Sequence, residues 1–255
     1  MILLVAERHR RIVELVNERS SIRVTELSDI FGVTEETIRR DLEKLEKEHF
    51  LMRTHGGAVS LAEDHEETSY IEREITNSNE KRAIALEALH YIEPGDQIVL
   101  DASTTAWYMA KELPDMPLTV LTNSIKVAIE LSKKGQIRVI STGGSLLSQS
   151  LSYVGPLAER SLSMYHVNKA FLSCNGIHLE SGLSDLNEMQ ALVKKKMIDI
   201  ADETVLVADS SKFGVRSFSQ ISSLSSVDYI ITDTRVDENI KKALKEKSIK
   251  MTIAK

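Results

Sequence analysis

The chain carries one cysteine, Cys174, among 255 residues. A lone thiol excludes an intrachain disulfide framework and a four-cysteine zinc site, and it fits a reducing compartment. Its expected role is that of a small buried apolar residue. No run approaches the roughly 18 apolar residues that a membrane-spanning helix needs. The opening Met1-Ile2-Leu3-Leu4-Val5-Ala6 is cut short by Glu7-Arg8-His9-Arg10-Arg11, which leaves no apolar core of signal-peptide length, so a cytoplasmic protein is expected. The seven histidines are scattered, with no H-E-x-x-H and no ligand spacing among His49, His55, His65 and His90, so no metal is expected. Neither G-x-x-x-x-G-K followed by Ser or Thr, nor G-x-G-x-x-G after a strand, is present, which argues against a nucleotide or dinucleotide cofactor. An excess of positive charge is missing too. Lys and Arg number 32 against 38 Asp and Glu, for a net charge of −6, and residues 1–59 hold ten basic against eleven acidic side chains. A nucleic-acid binder of this composition must gather its cations on one face.

What is present is an ordinary globular composition, 42% hydrophobic and 27% charged. The length suits a module of about 60 residues followed by one of about 180. From Arg8 to Glu18, Ile12, Leu15 and Val16 fall at i, i+3 and i+4, which predicts a helix with one apolar stripe. A second, short helix opens at Val24-Thr25, with Thr25 as candidate N-cap, Leu27, Ile30 and Phe31 inward, and Gly32 where a left-handed C-terminal cap is wanted. Thr34 then caps a third helix that runs to Glu48. Helix, glycine-ended turn and newly capped helix form a helix-turn-helix.

In the third helix Ile38, Leu42 and Leu45 share one side, and Glu36, Thr37, Arg40, Glu43, Lys44 and Lys47 the other. Arg40 suits a guanine edge, Thr37 a base or a methyl, and Glu36 the amino group of cytosine, with Thr34 at the start of the same face. Lys44 and Lys47 suit phosphates. Arg39 lies on the flank, suited to a phosphate or to packing against the second helix. Taken alone, such a helix is equally a solvated one laced with Glu/Lys pairs such as Glu43 with Lys47. The sequel decides. Phe50 to His55, then Gly56-Gly57, then Ala58-Val59 predict a hairpin, a wing whose Arg53 and His55 sit near the tip, against backbone or minor groove.

Residues 60–79 are polar and acidic and read as a connection, leaving 1–59 as a DNA-binding domain and 80–255 as a second domain. Beyond a helix ended by Pro94-Gly95, apolar runs at 97–101, 118–122, 137–141, 169–173, 204–208, 228–232 and 250–254 alternate with helical patterns at 105–112, 125–134, 156–164, 188–202 and 237–247. Alternation of this kind means βαβ units and a mostly parallel sheet. The fold class is therefore α/β: a small N-terminal winged helix-turn-helix followed by a larger α/β domain. Each strand runs into a polar loop. Asp101 leads to Ser103, Thr104 and Thr105; Thr122 to Asn123 and Ser124; Thr142 to Gly143 and Gly144; Ser173 to Asn175 and Gly176; Ala208 to Asp209 and Lys212. Singly, such residues cap helices and shape turns. Along one edge of a parallel sheet they converge as hydroxyls, backbone N–H groups and one full charge, a site for a small polyhydroxy anion.

Arg8, Ile12 and Val16 at four-residue spacing, followed after seventeen residues by Thr34-Glu35-Glu36-Thr37-Ile38-Arg39-Arg40-Asp41-Leu42, resemble the signature of the DeoR family of bacterial repressors. Thr54-His55-Gly56-Gly57-Ala58 is similar to that family's wing. The second domain resembles the family's sensor domain at 101–105, 122–124, Gly143-Gly144, Gly176-Ile177, Gly182-Leu183-Ser184 and Ala208-Asp209-Ser210-Ser211-Lys212-Phe213. The resemblance implies a fold like ribose-5-phosphate isomerase, operator DNA as partner, a phosphorylated sugar as effector, and a homo-oligomer, dimer or tetramer. One position departs, since Ser103 stands where the family usually has Gly; a left-handed backbone there would strain it. Two alternatives remain open: a sugar-phosphate isomerase using Asp101, Asp185, Glu188 or Asp209, weakened because Cys174-Asn175-Gly176 lacks a carboxylate, and a regulator whose second domain only assembles it.

Overall fold

The structure, a computed structural model, describes residues 5–19, 21–48, 50–54, 56–60 and 68–255. The chain divides into two compact units, Met1–Glu66 and Glu67–Lys255.

The first unit runs α1 (Val5–Arg19), β1 (Ser21–Arg23), α2 (Val24–Phe31), α3 (Glu35–Lys47), β2 (Leu51–Thr54) and β3 (Gly57–Ser60). Its core gathers Ile12, Leu15 and Val16 from α1, Leu27 from α2, Ile38, Leu42 and Leu45 from α3, and Leu51 and Ala58 from the hairpin. The three strands form an antiparallel sheet in the order β1-β3-β2. Strand β1 has no sequence signal, being three residues with no room for alternation. It also explains why Thr25 is not an N-cap: α2 starts one residue earlier, straight from the strand, and the Val24 N–H donates to Gly56 O of the wing at 2.9 Å instead of to a capping side chain. Ile30 is exposed rather than inward. At 100° per residue it falls about 90° off the stripe of Val24, Leu27 and Phe31. Gly32 has φ 62°, the left-handed cap that its position demands.

The second unit opens with α4 (Tyr70–Ile75), inside the stretch read from sequence as connection, and α5 (Ser78–Leu89), the helix expected before Pro94-Gly95. The signal for α4 was a capping box: Ser69 Oγ accepts from Glu72 N, and the Glu72 carboxylate accepts from Ser69 N. There follow β4 (Gln97–Leu100), α6 (Thr104–Glu112), β5 (Leu118–Thr122), α7 (Ile125–Leu131), β6 (Ile137–Ser141), β7 (Ser145–Leu147), β8 (Ser152–Val154), α8 (Pro156–Leu162), β9 (Val167–Leu172), β10 (Gly176–His178), β11 (Gly182–Asp185), α9 (Glu188–Asp199), β12 (Ala201–Val207), β13 (Ser219–Ser222), β14 (Tyr229–Thr232), α10 (Glu238–Glu246) and β15 (Lys250–Ile253).

Seven strands make one sheet in the order β15-β14-β12-β9-β4-β5-β6, parallel at every pairing. Alternate residues of each strand enter opposite cores. Ile98, Leu100, Val120, Phe171, Val205 and Ile231 pack with α5, α6 and α7, whereas Val99, Leu121, Ala170, Leu172, Leu206 and Ile230 pack with α8, α9 and α10. Burial on both faces is why these strands read as continuous apolar runs. Strand order reverses between β4 and β9, and the carboxyl ends there form the crevice where open α/β sheets hold ligands. A hairpin of β7 with β8 and a small antiparallel sheet, β10-β11-β13, cover part of this edge. Their short Ser- and Gly-bearing strands pair through backbone and leave no apolar period to detect.

Candidate functional site

Two surfaces carry the residues singled out by sequence. On the first unit, α3 is capped by Thr34, whose Oγ accepts from Thr37 N at 3.3 Å, and its outward face exposes Glu36, Arg40, Lys44 and Lys47 with Thr37 half-buried. Three of the four cations are held one turn back by a glutamate: Arg39 to Glu35 at 2.6 Å, Arg40 to Glu36 at 3.5 Å and Lys47 to Glu43 at 2.8 Å. Lys44 has no ion pair among the described residues. Such exposed pairs contribute only about 0.3–0.5 kcal/mol each, so a phosphate can displace the glutamate. Arg39 lines a recess of about 380 Å³ together with Val24 of α2 and with Arg53, Thr54 and Gly57 of the wing. The wing is fixed to the helix by the Arg53 N–H, which donates to Glu46 Oε1 at 2.9 Å. His55 lies outside the described residues.

Sequence reasoning missed what orients this helix. Asp41 points inward from α3 and accepts from Arg8 Nε at 2.7 Å and Nη2 at 3.1 Å, with His9 Nε2 at 2.9 Å. Burial opposes its charge, but the Arg8 and His9 contacts prevail and hold the carboxyl below its ordinary range.

On the second unit the strand ends repeat one local device. Asp101, Thr122 and Asp209 each accept, through a side-chain oxygen, the N–H two residues on, of Ser103, Ser124 and Ser211. Ser103 and Ser124 then cap α6 and α7 by accepting from Ala106 N and Val127 N. Ser103 has φ −75°, so it carries no left-handed strain. Thr104, Thr105 and Asn123 are buried beside these caps, and Lys212 is half-buried after β12. The same turns thus serve the fold and set the starts of α6 and α7 at the carboxyl ends of β4 and β5. Gly143, φ 62°, is open on its Cβ side, whereas a Cβ on Gly144 would meet Val154 O at 2.7 Å and one on Gly176 would meet Val215 O at 2.6 Å. Close packing accounts for those two glycines.

At the switch point Asp101 is fully buried and bridges β4 to β9: Oδ1 accepts from Ser103 N and Oδ2 from Ser173 N at 2.9 Å. Lys194 of α9 enters beneath it, 2.6 Å from Asp185 and 3.7 Å from Asp101. Burial disfavours its charge, but the two carboxylates outweigh burial and raise its pKa. Asn175 Nδ2 donates to Asp185 Oδ1 at 3.0 Å and closes the cluster. Asp101 and Asp185 are committed to Lys194, Asp209 accepts from Asn77 Nδ2 and Ser211 N, and Glu188 is exposed, which weighs against a free base of the kind an isomerase needs. Cys174 is buried and its thiol is pushed up to about 12 by burial, an inert apolar filler.

Lys81 of α5 was also missed. Its ammonium donates to Arg73 O at 2.5 Å and Thr76 O at 2.8 Å, at the carboxyl end of α4. Burial, offset in part by Asp209, lowers it to about 8. Asn77 Nδ2 donates to Asp209 Oδ1 at 3.1 Å, joining the start of α5 to the β12 loop. Among the described residues no group of His, Cys, Asp or Glu could hold a metal, and no helix is long and apolar enough to cross a membrane.

Comparison with known proteins identifies both domains. The DeoR-like helix-turn-helix domain matches residues 8–64 and the DeoR C terminal sensor domain matches residues 76–234. The chain is 64% identical over 250 residues to the uncharacterized HTH-type transcriptional regulator YulB of Bacillus subtilis, covering 98% of this chain and 97% of that one. It is 37% identical over 227 residues to the HTH-type transcriptional repressor GlcR of the same organism, covering 89% of this chain and 88% of that one. A solved ribose 5-phosphate isomerase A of Methanocaldococcus jannaschii aligns with 19% identity and a TM-score of 0.41, over 54% of this chain and 55% of that one. That last likeness is remote and bears on nothing catalytic. The protein belongs to the DeoR family and is a DNA-binding transcriptional regulator, not an enzyme.

Proposed function

We propose that the protein is a cytoplasmic repressor of a carbohydrate-catabolism operon whose hold on operator DNA is changed by a phosphorylated sugar bound at the β4/β9 switch point. The observation that carries this is the run of capped helix starts at Ser103 and Ser124 after β4 and β5, with buried Lys194 3.7 Å from Asp101 and the cations Lys81 and Lys212 beside Asp209 after β12. Residues 1–59 would grip DNA through Thr34, Glu36, Thr37, Arg39, Arg40, Lys44, Lys47, Arg53 and His55. The effector would meet Asp101, Ser103, Thr104, Thr105, Asn123, Ser124, Gly143, Asn175 and Lys212, with Gly144 and Gly176 allowing the loops to close. A balanced charge on the DNA-binding unit makes a second subunit necessary for useful affinity, so a homo-oligomer is part of the proposal. Repression matches the name of the GlcR relative, and a ligand that prefers one sensor arrangement shifts operator affinity by about 1–3 kcal/mol.

Thermal unfolding of the full chain against a panel of sugar phosphates tests the ligand. A selective effector at about 100 times its dissociation constant adds about 2.7 kcal/mol of stability. No shift with any sugar phosphate, alongside intact operator binding, would leave the second domain a device for assembly only.

A further inference from the structure

Tyr70 is 1% exposed, yet its phenol oxygen has no hydrogen-bond partner among the described residues. A buried tyrosine hydroxyl ordinarily finds one, and leaving it without is unfavourable. Asn123, also 1% exposed, has the same defect on one side. Its Nδ2 donates to Tyr153 O at 3.0 Å, which fixes the orientation of the amide and leaves Oδ1 without a donor.

Both residues belong to one corner of the strand-end crevice. The Tyr70 N–H donates to Gln149 O at 2.8 Å, in the β7–β8 hairpin. That hairpin is sewn to the start of α7 by Ile125 N to Leu151 O at 3.0 Å and Tyr153 N to Asn123 O at 2.7 Å. Lys126 closes the corner from α7: its ammonium lies 5.4 Å from the Tyr70 ring centre and pairs with Glu74 of α4 at 3.0 Å. Burial first, then Glu74, holds the Tyr70 phenol protonated, and the charge of Asp101 acts in the same direction.

We propose that α4 is a wall of the effector site, where Tyr70 Oη and Asn123 Oδ1 read the hydroxyl groups of a phosphorylated polyol. The chemistry selects that ligand class. Asn123 Oδ1 only accepts and needs an O–H or N–H, while the protonated phenol supplies one donor and accepts in return. A sugar hydroxyl does both; the dianionic phosphoryl group of a sugar phosphate offers acceptors alone and leaves Asn123 unsatisfied. The polyol end is therefore read by Tyr70 and Asn123, and the anionic end by the cations near Asp209. The same contacts let occupancy of the pocket set the order of residues 68–76. The inference rests on the sugar-phosphate reading above.

Calorimetry on the full chain separates the two. Wild type and Tyr70→Phe are titrated with glucose 6-phosphate, fructose 6-phosphate, fructose 1-phosphate, ribose 5-phosphate and inorganic phosphate. The Phe variant keeps the ring under Lys126 and so keeps the fold. The expected result is that a sugar phosphate bound by wild type binds the variant about tenfold more weakly, while any affinity for inorganic phosphate is unchanged. In parallel, the sugar phosphate slows amide exchange over residues 68–76 of wild type and inorganic phosphate does not. Equal affinity of the two proteins for the sugar phosphate, or unaltered exchange at 68–76, overturns the role of α4 and leaves the effector reading standing. Wild type that binds no sugar phosphate overturns both.

Discussion

Lys194 lies 2.6 Å from Asp185 and 3.7 Å from Asp101, with all three side chains buried. Removing one member of such a cluster strands the others, at a cost of about 3–5 kcal/mol. Lys194→Met is therefore expected to lower the stability of the second unit by that amount in urea unfolding, with the first unit unaffected. No sequence signal marked Lys194, because Lys194-Lys195-Lys196 reads as a solvated run and only the burial of one face of α9 distinguishes the first lysine from its neighbours. The recognition face was legible for the opposite reason: Thr34 as cap and Ile38, Leu42 and Leu45 as stripe fix the helix phase, and phase alone places Arg40 outward. Arg40→Ala is expected to relax preference at one base pair and to cost about 1–3 kcal/mol, and Lys44→Ala to lower the salt slope by about one unit. Operator titrations at several salt concentrations read both effects.

The elements that sequence reasoning missed are those whose reason to form is tertiary. Strand β1 exists because β3 pairs with it, and α4 because Tyr70 buries its ring and Lys81 holds the last carbonyls of the helix. Both were hidden in polar surroundings, although the Ser69–Glu72 box was there to be read. The long parallel strands and their helices, by contrast, announced themselves through run length and alternation. Two titrations act at this scale. Asp41 couples α3 to α1 with a depressed pKa, so its contribution is complete above the ordinary carboxylate value of 3.8 and is lost as pH falls below that. Acid unfolding of the first unit should shift to higher pH in Asp41→Asn, an expectation that circular dichroism against pH tests. Lys81 has its pKa lowered to about 8, first by burial. Its charge is present below pH 8 and lost above, so affinity for an anionic effector should fall as pH rises from 7 to 9, which calorimetry measures. Phosphate monoesters are already dianionic across that window and do not compensate.

On the whole molecule, a net charge of −6 and a recognition helix that neutralises itself leave little general attraction for DNA. Specific contacts, the wing and a second subunit must supply what bulk charge does not, and a ligand then needs to shift only a modest free energy to decide occupancy. Sequence marked the polar loops at these strand ends, since polar loops after apolar runs are local features. It could not show that Tyr70, Lys81 and Lys194 join them across more than 120 residues of chain. The central claim is that these two units form one switch. Fluorescence anisotropy of a labelled operator, titrated with the full chain with and without a saturating sugar phosphate that stabilises the protein, measures it directly. The account predicts a 5- to 150-fold change in operator affinity, roughly the range of 1–3 kcal/mol couplings. Identical binding curves with the sugar phosphate demonstrably bound would contradict it.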